Sequence, residues 1–129
     1  MATGFPAVTG DVLTSGMFNG LVAFTLNAQT GTTYTAVSTD QYQVLVTMNN
    51  ASANTFYIPT DATYAFPTGT AITILQIGAG VTTVTATTPG TTTITSAGAT
   101  SASPVLARYK ACVALKTGTN AWTIIGAVA

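Results

Sequence analysis

The chain has no histidine and no glutamate, and only six of its 129 side chains carry charge at neutral pH: Asp11, Asp40, Asp61, Arg108, Lys110 and Lys116. Ordinary globular domains are about 25% charged, whereas this chain is 5% charged. With so few ionisable groups, the common catalytic constellations fail at the level of inventory. A general base would have to be Asp or Lys, and no nucleophile–base–orienter triad of the usual kinds can be assembled. Asp11, Asp40 and Asp61 all stand in turn-like contexts, where Asp ordinarily satisfies local backbone N–H groups. No catalytic residue, cofactor or metal site is therefore expected, and the expectation is a protein that is not an enzyme.

Other absences narrow the reading further. Three acidic and three basic groups cancel, leaving no electrostatic footprint for nucleic acid or an acidic membrane surface. The lone Cys112 has no partner for an intrachain disulfide and is expected to be a buried, inert thiol. Apolar runs such as LVAF at 21–24 and VLV at 44–46 fall far short of the ~18 residues that a membrane span requires. The opening MATGFPAVTGDV has neither a basic region nor an apolar stretch of signal-peptide length, so cytoplasmic synthesis is expected.

What the chain does have is threonine, 29 of them, together with a 47% apolar content. One domain with a single core fits this length. Residues 1–10 carry Gly4, Pro6 and Gly10 without periodicity and read as an extended arm. Val12, Leu13, Met17, Leu21 and Phe24 recur at spacings of three and four, the one helical signal, weakened by Gly16 and Gly20. We therefore expect an arm and short amphipathic segment over 1–32, with at most one short helix, ahead of a β-domain over 33–129.

From Thr33 the period is two. YQVLVTM places Tyr42, Val44, Val46 and Met48 on one face, NTFYIP pairs Phe56 with Ile58, and AITILQI is apolar on both faces, as suits a central strand. VTTVTA and TTTITS, rich in Thr, read as exposed or edge strands. RYKACVALK is expected to point Tyr109, Ala111, Val113 and Leu115 inward, with Arg108, Lys110 and Lys116 on the other face. KTGTN reads as a hairpin turn before AWTIIGAV, whose Trp122 and Ile124 share a face. Short strands with turn residues at intervals of about 8–12 predict an all-β fold, a single antiparallel β-sandwich of jelly-roll-like type.

Two uses of the surface follow from composition. T-x-T pairs at Thr83/Thr85, Thr91/Thr93 and Thr93/Thr95 invite comparison with water-ordering arrays, but the intervals are irregular and confined to one third of the chain. Among the aromatics, Tyr57 and Tyr64 lie off the strongest apolar faces and are the candidates for stacking on a glycan.

The segment NNASANTFYIPTDATYAFPTGTAITILQIGAGVTTVTA, residues 49–86, together with ALKTGTNAWTIIGAVA near the end, resembles a β-domain recurrent in tailed-bacteriophage virion proteins. GDVLTSGMFNGL upstream is similar to an N-terminal motif of the same class. The resemblance implies a structural role in tail fibres, head fibres or capsid decoration (cement) proteins, commonly as homotrimers, and offers no catalytic residues. This chain is short, with no long coiled coil and no separate receptor-binding domain, and its low charge favours a protein docked on a shell. The expectation is therefore a virion protein, assembled in the host cytoplasm, that stabilises the head by binding the major capsid protein as a trimer. Its expected contact residues are Phe5, Val8, Val12, Leu13, Met17, Phe18, Leu21 and Phe24. The alternative is a small tail-fibre or tail-tip module that contacts tail proteins and binds host-surface glycan through Tyr57 and Tyr64.

Overall fold

Residues 24–129 are described by the structure, a computed structural model. Ten strands follow one another: β1 (Thr25–Gln29), β2 (Thr33–Thr35), β3 (Val44–Met48), β4 (Asn54–Ile58), β5 (Ala71–Gln76), β6 (Thr82–Ala86), β7 (Thr93–Ser96), β8 (Val105–Leu106), β9 (Ala111–Gly118) and β10 (Ala121–Gly126). One 3-10 turn, Ser38–Gln41, separates β2 from β3, and the described residues contain no α-helix. Residues 25–29, placed by sequence in the segment ahead of the domain, form β1 and pair with β3.

The strands form a six-stranded sheet, ordered β1-β3-β5-β9-β10-β7, and a four-stranded sheet, ordered β2-β4-β6-β8. All-β is as expected, but both sheets are mixed. Five registered pairs run parallel and three antiparallel, so the pairing is not that of an antiparallel sandwich. The reason is the route of the chain. From β1 to β6 it alternates between sheets, so each strand stacks parallel on the one two places earlier. Parallel neighbours need a crossover, usually a helix; here the strand in the opposite sheet serves as the crossover.

Both sheets turn one face to a shared core containing Val46, Met48, Ile72, Ile74, Trp122 and Ile124 from one and Phe56, Ile58, Val84 and Leu106 from the other. Val44, Val46, Met48, Phe56, Ile58, Trp122 and Ile124 point inward as their alternation predicts, and β5 is central. Tyr42 departs from its expected face: it follows the 3-10 turn and is 67% exposed. β6 is not an edge strand either; it lies between β4 and β8 with Thr82, Val84 and Ala86 buried.

The largest correction concerns β9. Cys112, Ala114 and Lys116 face inward, while Ala111, Val113 and Leu115 form the half-buried outer side. Tyr109 is exposed in a left-handed turn at φ 63°, outside the strand. Space explains the choice. Ala114 sits in register between Ile72 and Ile124, where a larger side chain would overfill the layer. Burial pushes the Cys112 thiol up to about 12, which keeps it protonated and inert.

Lys116 enters the core because its charge is matched there. Its Nζ donates to Asp61 Oδ1 at 2.7 Å and to the Phe66 carbonyl at 2.9 Å, and lies 5.7 Å from the Trp122 ring centroid. Asp61 also accepts from the Asn120 N–H at 3.1 Å, and its own N–H donates to Asn120 Oδ1 at 2.8 Å. This latches the 59–70 connection onto the β9–β10 hairpin, where Asn120 adopts φ 49°. Burial alone raises the Asp61 carboxyl, but the Lys116 ammonium and Asn120 outweigh it and leave the group below its ordinary range.

Corners between the sheets are stacked as tightly as the strands. Ile77 and Gly78 N–H donate to the Met48 carbonyl at 2.9 and 3.3 Å, and Gly80 N–H donates to the Asn50 carbonyl at 2.9 Å. A Cβ on Gly78 would lie 2.4 Å from Asn50 N, and one on Gly80 2.0 Å from the Ser52 carbonyl oxygen. Beneath them, Gln76 Nε2 donates to the Gly80 carbonyl at 2.6 Å and to the Thr82 hydroxyl, which in turn donates to Asn54 Oδ1.

Two outcomes are expected in equilibrium denaturant unfolding. Asp61→Asn strands a buried ammonium and costs about 3 kcal/mol. Because the folded carboxyl lies below its unfolded value, this stability is present in full above about pH 4 and is lost as pH falls through the folded value; the variant loses that acid dependence. Gly80→Ala costs about 3 kcal/mol through corner overlap, whereas Gly90→Ala, with nothing within 4 Å of its Cβ, is neutral or slightly stabilising.

Candidate docking surface

At the β1 end of the sheets, a cleft of about 420 Å³ opens between β1, β2 and the 3-10 turn. Asp40 forms its floor. The side chain is 1% exposed, and three donors hold it: Asn27 Nδ2 at 2.9 Å, the Tyr34 hydroxyl at 2.6 Å and the Val37 N–H at 2.9 Å. The last contact is the reach-back of an acidic third residue to the N–H that precedes a helical turn, half of a capping box. Asp40 therefore does the turn chemistry its sequence context indicated.

The surrounding groups continue the network. Asn27 Nδ2 also reaches the Tyr34 oxygen at 2.8 Å, and Gln29 Nε2 donates to Asn27 Oδ1 at 2.7 Å. Burial first, and then the hydrogen bond to the neighbouring carboxylate, push the Tyr34 hydroxyl up to about 12. The phenol therefore stays a proton donor and is further from acting as a base. Chemically, the floor is a rigid, hydrogen-bonded brace that fixes the turn above it.

The rim is different in character. Phe24, Leu26, Val37 and Tyr42 are 59%, 62%, 49% and 67% exposed, and the last three line the cleft. They make up four of the seven large apolar side chains that stand exposed among the described residues, so exposed apolar surface is concentrated here. Among the described residues both sheets also begin here with edge strands, β1 and β2, which have a ladder partner on one side only.

Of the contact residues expected from sequence, Phe24 is exposed and directly precedes β1, whose first residues Thr25 and Leu26 line the cleft. Phe5, Val8, Val12, Leu13, Met17, Phe18 and Leu21 lie outside the described residues. Sequence reasoning missed Leu26, Val37 and Tyr42. The available signal was Tyr42, an aromatic at the start of an alternating run and directly after a turn.

The two glycan candidates have separate surroundings. Tyr64 packs edge-on against Phe66, with ring centroids 4.6 Å apart, and its hydroxyl accepts from Gln41 Nε2 at 2.6 Å. Tyr57 lies half-buried on the outer face of β4, in register between Thr35 and Thr85; beside it, Thr33, Thr55 and Thr83 form a second rank. These threonines lie 22 and 28 residues apart along the chain, which hides their alignment from any search for a fixed repeat.

Among the described residues no group of three or more potential metal-ligating side chains occurs, and no helix is long and apolar enough to cross a membrane. Comparisons with protein-family models, curated proteins and solved structures returned no match.

Removing one brace donor tests the floor. Tyr34→Phe is expected to lower stability by about 1.5–3 kcal/mol, since a hydrogen bond to a charged acceptor is lost. It should also raise hydrogen exchange at the Val37 amide, read by NMR, while exchange in β9 and β10 rises only by the global change.

Proposed function

We propose that this protein is a structural component of a bacteriophage virion, a capsid decoration (cement) protein that binds and stabilises the head shell as a trimer. The observation that supports this reading best is the cluster of Phe24, Leu26, Val37 and Tyr42 around a braced, concave end. A docking surface of this kind gains its free energy from apolar burial and edge-strand pairing. It suits a chain with only six charges, because charges at such a contact would have to be desolvated. The reading also rests on the sequence resemblance, with the two sheets treated as a sandwich-like module. It includes no catalytic step, no cofactor, no nucleic-acid partner and no membrane partner; the partner is the major capsid protein.

A second reading, a tail-fibre or tail-tip module binding neutral host-surface glycan, draws on Tyr57 and its flanking threonines, an aromatic platform set among hydroxyls.

Mixing the purified protein with expanded, empty capsids separates the two. We expect saturable binding at three-fold or pseudo-three-fold positions, weakened at least about tenfold by Val37→Lys or Tyr42→Lys, since each would bury an unpaired charge. Binding to host cells or glycans alone, abolished by Tyr57→Ala, would overturn the decoration reading.

A further inference from the structure

The chain's net charge of zero hides an uneven distribution. Both acids of the described residues are engaged inside the fold, Asp40 in the brace and Asp61 with Lys116. The remaining cations, Arg108 and Lys110, are exposed and belong to one turn, residues 107–110, between β8 and β9. Among the described residues neither forms a salt bridge, since the ion pair there is Lys116–Asp61. Surface charge in the described part of the protein is therefore positive and gathered at a single place.

That turn is bolted to the end of β5, which holds its side chains in a set arrangement. Tyr109 N–H donates to the Gln76 carbonyl at 2.6 Å, Gln76 N–H to the Lys110 carbonyl at 3.0 Å, and Lys110 N–H back to the Ala107 carbonyl at 3.2 Å. Arg108 Nε donates to the Ile77 carbonyl at 3.2 Å, and the guanidinium lies over the Tyr109 ring at 4.7 Å. Its two terminal nitrogens, which grip an oxyanion as a fork, have no hydrogen-bond partner among the described residues. Tyr109 itself keeps φ 63°, a left-handed conformation that a bulky residue adopts only at a cost. The side chain is 69% exposed, so core packing does not offset that cost.

We propose that the 107–110 turn recognises paired carboxylates on an acidic segment of a partner protein, with Arg108 as the fork and Lys110 as the second cation. Two features select protein carboxylates over other oxyanions. Thr82 pairs with Leu106, which brings Val81, 43% exposed, to the start of the turn. Val81 and Tyr109 thus set apolar area beside the charges, which a peptide side chain covers and a free phosphate cannot. The second feature is residue type, since Tyr and Arg are enriched among the interface residues that carry binding energy. Nucleic acid is disfavoured by number: two cations neutralise about two phosphates, too few for appreciable counterion-release affinity.

The turn shares no residue with the β1 rim and is tested without capsids, so either reading can fail alone. The experiment is an NMR titration of the isotope-labelled protein with a capped peptide in which two aspartates flank one phenylalanine. Amide shifts should change at 107–110, Ile77 and Val81. Exchanging both aspartates of the peptide for asparagine should weaken binding about tenfold, as two exposed ion pairs supply. Arg108→Lys keeps the charge but loses the fork, and should weaken binding about threefold; Lys110→Gln should do the same. Tyr109→Gly relieves the left-handed backbone, so it should bind more weakly without any fall in thermal midpoint. Tyr42→Ser, at the rim, should leave peptide binding unchanged.

No localised shift with the aspartate peptide overturns the proposal. Equal binding of the asparagine peptide, or undiminished binding when Arg108→Lys and Lys110→Gln are combined, overturns it as well. Inorganic phosphate that displaces the peptide at equal concentration would make the turn a site for any small oxyanion, against the proposal. Tighter binding of a single-stranded DNA oligonucleotide at the same amides would reassign it to nucleic acid and sink the protein partner.

Discussion

Stacking of the corners between sheets is the constraint on which this structure depends. Each pass of the chain leaves one sheet and enters the other, and successive passes touch through backbone at that bend. Residues 49–54 lie against 77–82 with Gly80 N–H on the Asn50 carbonyl and Asn54 N–H on the Val81 carbonyl, both at 2.9 Å. The approach leaves no space for side chains at Gly78 and Gly80. Because the ladder continues through the bend, register in one sheet dictates register in the other, and an all-parallel stack of three passes can form without helices.

This gives the most recognisable sequence in the chain a physical meaning. NNASAN and QIGAG, two of the segments on which the proposed phage virion reading draws, are the two stacked corners. Their Asn and Gln side chains satisfy polar groups at the edge of the core: Gln76 joins Gly78, Gly80 and Thr82, and Asn54 joins Thr82 and Ser52. Buried amides placed this way are costly if left unpaired, so they bind the bend to one geometry. The motif residues build the scaffold, and exposed apolar side chains such as Leu26, Val37 and Tyr42 lie elsewhere, at the β1 rim.

Scarce charge takes on a similar structural meaning. Asp40 braces a turn, and Asp61 and Lys116 fasten the 59–70 connection to the last hairpin. Arg108, standing over the Tyr109 ring at 4.7 Å and donating to the Ile77 carbonyl at 3.2 Å, belongs to the turn before β9. Three of the chain's six charges, Asp40, Asp61 and Lys116, therefore work inside the fold, while Arg108 makes its contacts from an exposed turn. The outer face of the four-stranded sheet is rich in hydroxyls, and that of the six-stranded sheet mixes Leu26, Leu45, Val113 and Ile125 with Thr73, Thr95 and Thr123. Such surfaces offer hydroxyls and apolar area rather than charge.

Alternation by itself determined much of this protein. It showed an all-β chain, the inward faces of Val44–Met48, Phe56–Ile58 and Trp122–Ile124, and the hairpin at 116–120, because a half-buried strand must alternate and a tight turn must use Gly and Asn. Direction and partner were decided only in three dimensions. Parallel and antiparallel strands share the same two-residue period, so nothing local separates a sheet of hairpins from stacked passes of unequal length. The inward face of β9 was settled the same way. Its bulkier side pointed to Val113 and Leu115 as core, but Ile72 and Ile124 on either side left space only for Ala114, and Asp61, distant in sequence, supplied the partner that let Lys116 follow it inside.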